Sequence, residues 1–485
     1  MITTEFRARP RRLSGPLWFW VTLGSVGSLG TVLEASTIGS RPRPSAYRWW
    51  LHAPAGNYTL AHVLLYLSMA LLILAWAALG AHAFAGRLSV ARSWTTLGAW
   101  GLPLFLGTPV FSRDVYSYIA QGTLAHRGFN PYSVAPKMLG AGPLLSSVAT
   151  VWRTTTSPYG PLFVAITHLG AAISGSSLIT QVLVFRSLEL PGIALMMICL
   201  PVLARHCGAN PGVALWLGVL SPLALLSALS SAHNDTLMIG LMLAALTVSL
   251  RGARRWALVL FAVAATIKLP AAAGIVFLSA AQMSGGTRRE KWRLCAEAVV
   301  IPGAVIAAVS EFTGYGWKWL SPSALRIPTE LRVLTTPVVS LATLLASLVH
   351  ALGDGVSTDT VVTVAQDVFA LAALALIAWL VTRTNRANAT YLLGVTMLVI
   401  VVASPTLWPW YLLWGLTILA VTSAQRSRWL AAVAALAMLL VGPGGTPMIG
   451  GNGFYVAGPL VLAGLGWLWW HARWRRVVQG IDRVG

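Results

Sequence analysis

Residues 60–85 read LAHVLLYLSMALLILAWAALGAHAFA, a stretch with no acid, lysine or arginine. A helix needs roughly 20 residues to cross the hydrocarbon core of a bilayer. In lipid, backbone polar groups find partners only inside a helix or a closed barrel. The apolar residues here run continuously and do not alternate, which excludes a barrel strand. Comparable stretches recur at 17–38, 94–111, 160–175, 178–204, 212–232, 235–250, 254–281, 293–312, 336–352, 360–382, 390–403, 409–423, 428–442 and 454–470. The 485-residue chain is 56% hydrophobic and 10% charged, where a soluble domain carries about 25% charged residues. Its mean hydropathy is +0.73. The expectation is an all-α polytopic membrane protein, one integral membrane domain over 1–485.

Charge sets the topology. Lys and Arg number 34 against 13 Asp and Glu, a formal net charge of +21. In a soluble protein this balance would suggest nucleic acid. Here the cations fall between apolar spans, at 7–12, 87–92, 251–255, 287–293, 383–386, 426–428 and 473–476, which is the positive-inside pattern. No nucleic-acid partner is expected; anionic lipid headgroups are. Both termini then lie on the cytoplasmic side of the plasma membrane. The span from Leu17 to about Ile38 is long for a signal peptide and reads as an uncleaved helix. Cys199, Cys207 and Cys295 show no metal or disulfide spacing.

Two segments break this bookkeeping. Residues 254–281 carry basic runs at both ends, with Lys268-Leu269-Pro270 near the middle. Proline interrupts a helix, so two half-length helices with Lys268 near the apex are predicted, a form tolerated where protein or a cavity surrounds it. If 336–352 and 360–382 both crossed, Arg383 and Arg386 would fall outside, so one of the two is read as partial. Roughly 12 to 14 crossings follow. Two connections are long: 112–158, read as an external loop, and a second external loop at 313–336 with Trp317, Lys318, Trp319, Arg326 and Arg332. Within the first, 114–127 reads as a short helix lying on the membrane surface, and the prolines beyond it predict irregular chain.

Acids are scarce, so an external carboxylate stands out. Asp114 in Ser112-Arg113-Asp114-Val115-Tyr116-Ser117-Tyr118 follows an apolar span. It is either a helix cap or a base able to take a proton from an attacking hydroxyl; Arg113 beside it could hold a phosphate, and Tyr116 and Tyr118 are candidate substrate contacts. His233-Asn234-Asp235 at a helix junction is either a cap or a hydroxyl-binding cluster with a second carboxylate. Lys268 inside an apolar segment either snorkels or serves a site such as a lipid phosphate. Arg186 and Glu189 are spaced for an ion pair on one helix face, with Arg186 a further candidate for phosphate. Trp408, Trp410 and Tyr411 are interface anchors or a stacking surface for a sugar or prenyl chain. No nucleotide fingerprint or zinc spacing occurs.

These pieces, with Asn130-Pro131-Tyr132, Ser157-Pro158-Tyr159-Gly160-Pro161-Leu162 and Pro409-Trp410-Tyr411-Leu412-Leu413-Trp414, come in an order that resembles the actinobacterial polyprenol-phosphomannose-dependent α-1,6-mannosyltransferases. This is the MptA/MptB group, and the likeness is closest to the MptB type, over about residues 95–420. The resemblance implies a GT-C glycosyltransferase with surface helices in its external loops and its active site on the extracytoplasmic face. It implies a polyprenyl-phosphate-mannose donor, a mannan or lipoglycan acceptor, and extension of a lipomannan core with inversion. Asp114 matches the family's catalytic acid, and Lys268, Arg113 and Arg186 are candidates to stabilise the departing lipid phosphate. No cofactor is called for, and a divalent metal lacks a paired acidic motif to hold it. A transferase for arabinose or another polyprenyl-linked sugar, a lipid-linked glycan ligase, and a flippase are the alternatives; inverted repeats of the kind transporters carry are not evident.

Overall fold

The computed structural model describes residues 15–38, 57–283, 287–330, 336–352 and 356–422, with 429, 430 and 433. Apart from those last three, the spans expected at 428–442 and 454–470 lie outside the described residues. So do both termini, Arg332, and the basic segments 7–12, 426–428 and 473–476. Among the described residues every regular element is helical and no strand occurs.

The N-terminal part is α1 (Leu17–Ile38), α2 (Tyr58–Phe84) and α3 (Val90–Leu106). Asn57 starts α2 by accepting from the Thr59 and Leu60 amides, which satisfies donors that no helical carbonyl can reach. The chain continues through α4 (Asp114–His126), α5 (Pro161–Ile173), α6 (Leu178–His206), α7 (Pro211–Gly218) and α8 (Pro222–Ser230). Next come α9 (Asp235–Leu250), α10 (Arg254–Ala265), α11 (Ala273–Met283), α12 (Arg288–Phe312), α13 (Pro337–Ala351), α14 (Thr358–Thr382), α15 (Ala389–Ala403) and α16 (Leu413–Leu419). Trp76 of α2 and Trp216 of α7 stack at 4.8 Å. Each indole donates to the other residue's carbonyl, at 3.0 and 2.7 Å. The clasp gives two buried N–H groups partners that lipid would not supply. α6 and α9 cross at Gly192 and Gly240, where a Cβ on either would come within 2.6 Å of the other helix's backbone.

Four helices, α2, α6, α12 and α14, are long and apolar enough to cross a membrane, or five if α7 and α8 form one span bent by 53°. The reading of 212–232 as one helix is therefore corrected: Ser221 caps a new helix at Pro222, and proline cannot continue the previous one. Residues 254–281 do break as expected. Lys268 is extended (φ −150°, ψ 121°) between α10 and a 3-10 turn at Leu269–Ala272 leading into α11. α13 has 15 residues, about 22 Å at 1.5 Å per residue, shorter than a full span.

The first long connection departs from expectation in two ways. α4 forms, but it does not lie on a surface: Val115 to Gly122 are all buried. Gly122 permits this, because a Cβ there would sit 2.1 Å from the Thr167 carbonyl oxygen of α5. The remainder is not wholly irregular, containing short helical pieces at Pro136–Leu139, Pro143–Ser147 and Thr150–Arg153. The second connection packs on the first: Lys318 Nζ donates to Ser133 Oγ at 2.8 Å, and the Asn130 amide to the Tyr315 carbonyl at 3.4 Å.

Candidate active site

Four separated stretches meet around Asp114. The first is the N-terminus of α4. Arg113, half-buried, occupies the cap position, and no side chain caps this helix. Asp114 is thus not a cap; its own amide donates to the Ser112 hydroxyl oxygen at 3.1 Å. The second is the turn between α8 and α9, which places His233 Nδ1 3.5 Å from Asp114 Oδ2. The third is the break at Lys268. The Ser157–Pro161 turn docks there, with Gly160 N–H bonding the Ile267 carbonyl at 3.0 Å and Leu162 N–H the Thr266 carbonyl at 3.1 Å. The fourth is 408–414. Trp410 stacks on His233 at 4.0 Å and on Trp408 at 5.1 Å.

Asp235 does not cap α9 either. Its Oδ1 accepts from Lys268 Nζ at 2.8 Å and from the Trp414 indole at 2.5 Å. Lys268 Nζ also lies 4.1 Å from the Tyr411 ring centroid and 5.0 Å from that of Trp414, a cation–π arrangement. Lys268 therefore does not snorkel: its side chain is 13% exposed and fixed from three sides. Trp410 is buried in this wall and is not an interface anchor. Tyr118 packs edge-on against Tyr159 and Phe163 at 5.3 and 4.9 Å, on the Asp114 side of α4. Tyr116, two residues round the helix, is fully buried in the core with the charges of Arg186 and Arg113 as its neighbours. Asn234 is wholly buried with neither amide atom hydrogen-bonded within the protein; Asp235 Oδ2 also lacks a hydrogen bond, and His233 Nδ1 has only the 3.5 Å approach to Asp114 Oδ2. Buried polar atoms without partners are costly, and here they cluster beside one carboxylate.

The Asp114 side chain is 14% exposed. Burial pushes its carboxyl up to about 7, against the pull of Lys268; Asp235 adds to the rise, while hydrogen bonds from Trp152 and Ser112 oppose it. Burial, reinforced by Lys268, holds His233 well below the usual imidazole range, so it is neutral. A carboxylate poised near neutrality is suited to take a proton.

Arg186 differs from expectation. Its guanidinium donates to the Phe105, Gly107 and Ser230 carbonyls at 2.5 to 3.0 Å, and Glu189 accepts from the Leu237 amide at 3.1 Å. The helix-face ion pair gives way to backbone bonds, and the phosphate role is not the one the geometry favours: Arg186 ties the end of α3 to the end of α8. Two serines tie the same segments. Val110 N–H bonds Ser230 Oγ at 2.9 Å, and Ser231 Oγ bonds the Val110 carbonyl at 2.8 Å. Phe111 (φ 66°) and Ala232 (φ 53°), the non-glycine residues with positive φ among those described, sit at these corners. Such conformations cost energy and persist where the surroundings enforce them. Trp152, Ser230 and Ser231 were not legible as site residues. Tyr159 and Trp414 stood in recognised motifs but carried no assigned part.

A helical membrane protein that gathers a partly exposed carboxyl, a cation and an aromatic wall at one end of its bundle has the makings of a membrane-embedded enzyme. Residues 21–284 match the family model of the alpha-(1->6)-mannopyranosyltransferase N-terminal domain, and residues 335–471 match the MptB C-terminal domain. The chain belongs to this alpha-(1->6)-mannopyranosyltransferase family, of the membrane GT-C type. It is similar to alpha-(1->6)-mannopyranosyltransferase A of Mycobacterium tuberculosis, 33% identical over 92% of this chain and 86% of the relative. The Corynebacterium glutamicum enzymes of the same name, A and B, are 28% and 27% identical, over 73% and 83% of this chain and 77% and 72% of theirs. No solved structure matches. The protein is a mannosyltransferase.

Proposed function

We propose that the protein moves mannose from a polyprenyl-phosphate-mannose donor to the 6-hydroxyl of an α-1,6-mannan acceptor on a lipoglycan, at the extracytoplasmic face of the plasma membrane, within the 112–158 loop and its partner at 313–336. The carrying observation is the Asp114 carboxyl, partly open, raised to about 7 and within electrostatic reach of Lys268. Asp114 takes the proton of the acceptor hydroxyl as that oxygen attacks the anomeric carbon. The bond from that carbon to the phosphate oxygen breaks, and its electron pair leaves with the lipid phosphate. A β-linked donor and an α-linked product require one inversion, for which one base suffices. The lipid phosphate needs no acid if a cation meets its charge; Lys268 and Arg113 are suited to that. Tyr411, backed by the buried Trp410 and its half-buried neighbour Trp408, offers the stacking surface for sugar or prenyl chain, and His233, Asn234 and Asp235 have buried polar atoms to offer sugar hydroxyls.

Membranes containing wild type or Asp114→Asn at equal abundance, given radiolabelled polyprenyl-phosphate-mannose and a short α-1,6-mannoside, test this. Labelled product sensitive to α-1,6-mannosidase is expected from wild type only. Equal product from both removes Asp114 from its role. Labelling from polyprenyl-phosphate-arabinose instead of the mannose donor overturns the donor assignment.

A further inference from the structure

One cavity lies away from Asp114. Of about 960 Å³, it is lined by Leu246 and Leu250 of α9, Phe277 and Leu278 of α11, and Leu393 of α15, with Arg293, Arg386 and His206 also on its wall. α9 begins at Asp235 in the active site and reaches this cavity with its last turn, about 22 Å away at 1.5 Å per residue. α11 starts beside Lys268 and ends here, and α15 starts here and runs toward 408–414. The cavity therefore sits at the opposite end of the helices that build the active site.

Its interior and its rim differ in character. Leu246, Phe277, Leu278, Ala281 and Leu393 are buried and apolar, whereas Arg293, Arg386 and His206 are exposed. Neither arginine forms an ion pair among the described residues. The one acid on the wall, Glu290, is committed locally: it accepts from the Thr287 amide and hydroxyl at 2.8 and 2.9 Å, closing a capping box at the start of α12. Glu290 and Glu297 lie within electrostatic reach of Arg293 without an ion pair to it, so the rim keeps a net positive charge over a largely apolar chamber, with Arg205, Arg251, Arg288 and Arg289 on the same helix ends and connections.

We propose that this cavity binds one membrane lipid with an anionic phosphate headgroup, the phosphate at the rim shared by Arg293 and Arg386 and an acyl or prenyl chain in the apolar chamber. Charge complementarity selects the headgroup, and the apolar side chains of the wall suit a hydrocarbon chain better than a free ion. The site is separate from the donor site proposed above and does not depend on it.

Full-length protein in detergent, titrated with dioleoyl phosphatidylglycerol, dioleoyl phosphatidylcholine or inorganic phosphate and read by native mass spectrometry, tests this. One phosphatidylglycerol per chain is expected to bind in preference to phosphatidylcholine, with no effect of inorganic phosphate. The exposed double variant Arg293→Gln/Arg386→Gln is expected to weaken binding about tenfold or more, while Arg205→Gln/Arg251→Gln, on the same basic face outside the cavity, keeps it. Equal binding of both lipids, or equal loss in both double variants, overturns the proposal in favour of general surface attraction. Competition by inorganic phosphate at similar affinity overturns it in favour of a free-anion site.

Discussion

Asp114 holds or loses its proton according to the balance between burial and the cation at Lys268. Because burial dominates and raises the carboxyl to about 7, the base form appears only as pH rises past that value. kcat/KM is therefore expected to climb through neutrality and flatten above it, as a pH–rate profile with the lipid donor will show. Lys268 lowers the carboxyl, so Lys268→Ala moves the climbing limb to higher pH; an unmoved limb would mean Lys268 does not act on Asp114. Asp114→Asn is expected to reduce kcat by about 10²–10⁴ with little change in KM. Arg186 acts on these residues at one remove. Arg186→Lys keeps a charge but cannot span three carbonyls in two segments. A loss of about 10² in kcat is expected, the scale of a 1 Å misplacement, with donor KM nearly unchanged. A drop in melting temperature alone would make Arg186 merely structural. Asp114 was visible in the sequence because acids are so few. The partners of Arg186 are not legible in the same way, being backbone carbonyls some 44 to 81 residues away, and backbone leaves no signature in sequence.

At the scale of elements, the break at Lys268 was legible because proline and an intramembrane charge are local signals. That the Ser157–Pro161 turn docks on this break was not: both pieces stand out in the sequence, but the contact between them is a matter of shape. Gly160 makes the contact possible, since a Cβ there would fall 2.0 Å from the Thr266 carbonyl oxygen. Backbone cannot yield as a flexible side chain can, so Gly160→Ala is expected to cost about 1–3 kcal/mol and to shift Lys268 away from Tyr411. Quenching of tryptophan fluorescence and a falling melting temperature, measured together, separate that local shift from general loosening. The kink at Ser221–Pro222 shows the reverse case: proline was present in the sequence, but the surrounding apolar run hid two helices inside one apparent span.

For the whole molecule, alternation of apolar runs and arginines disclosed an all-helical membrane protein, while span length did not disclose how many helices are short or bent. The proposed sidedness is open to direct measurement. With Cys199, Cys207 and Cys295 replaced, Met138→Cys in the first long connection is expected to react with an impermeant maleimide in intact cells, and Arg289→Cys only after permeabilisation. Labelling in the opposite sense would invert the topology. The clasp between Trp76 and Trp216 also bears on how the protein is made. The two indoles are separated by 140 residues, and chains grow at roughly 5–20 residues per second, so Trp76 emerges roughly 7 to 28 s before its mate exists. For that interval the Trp76 indole N–H is without the Trp216 carbonyl that accepts from it in the folded protein. Until residue 216 arrives, α2 has its packing on α1, where Gly27 lies against the α2 backbone, and the clasp that fastens α7 to it can close only after translation has passed that point.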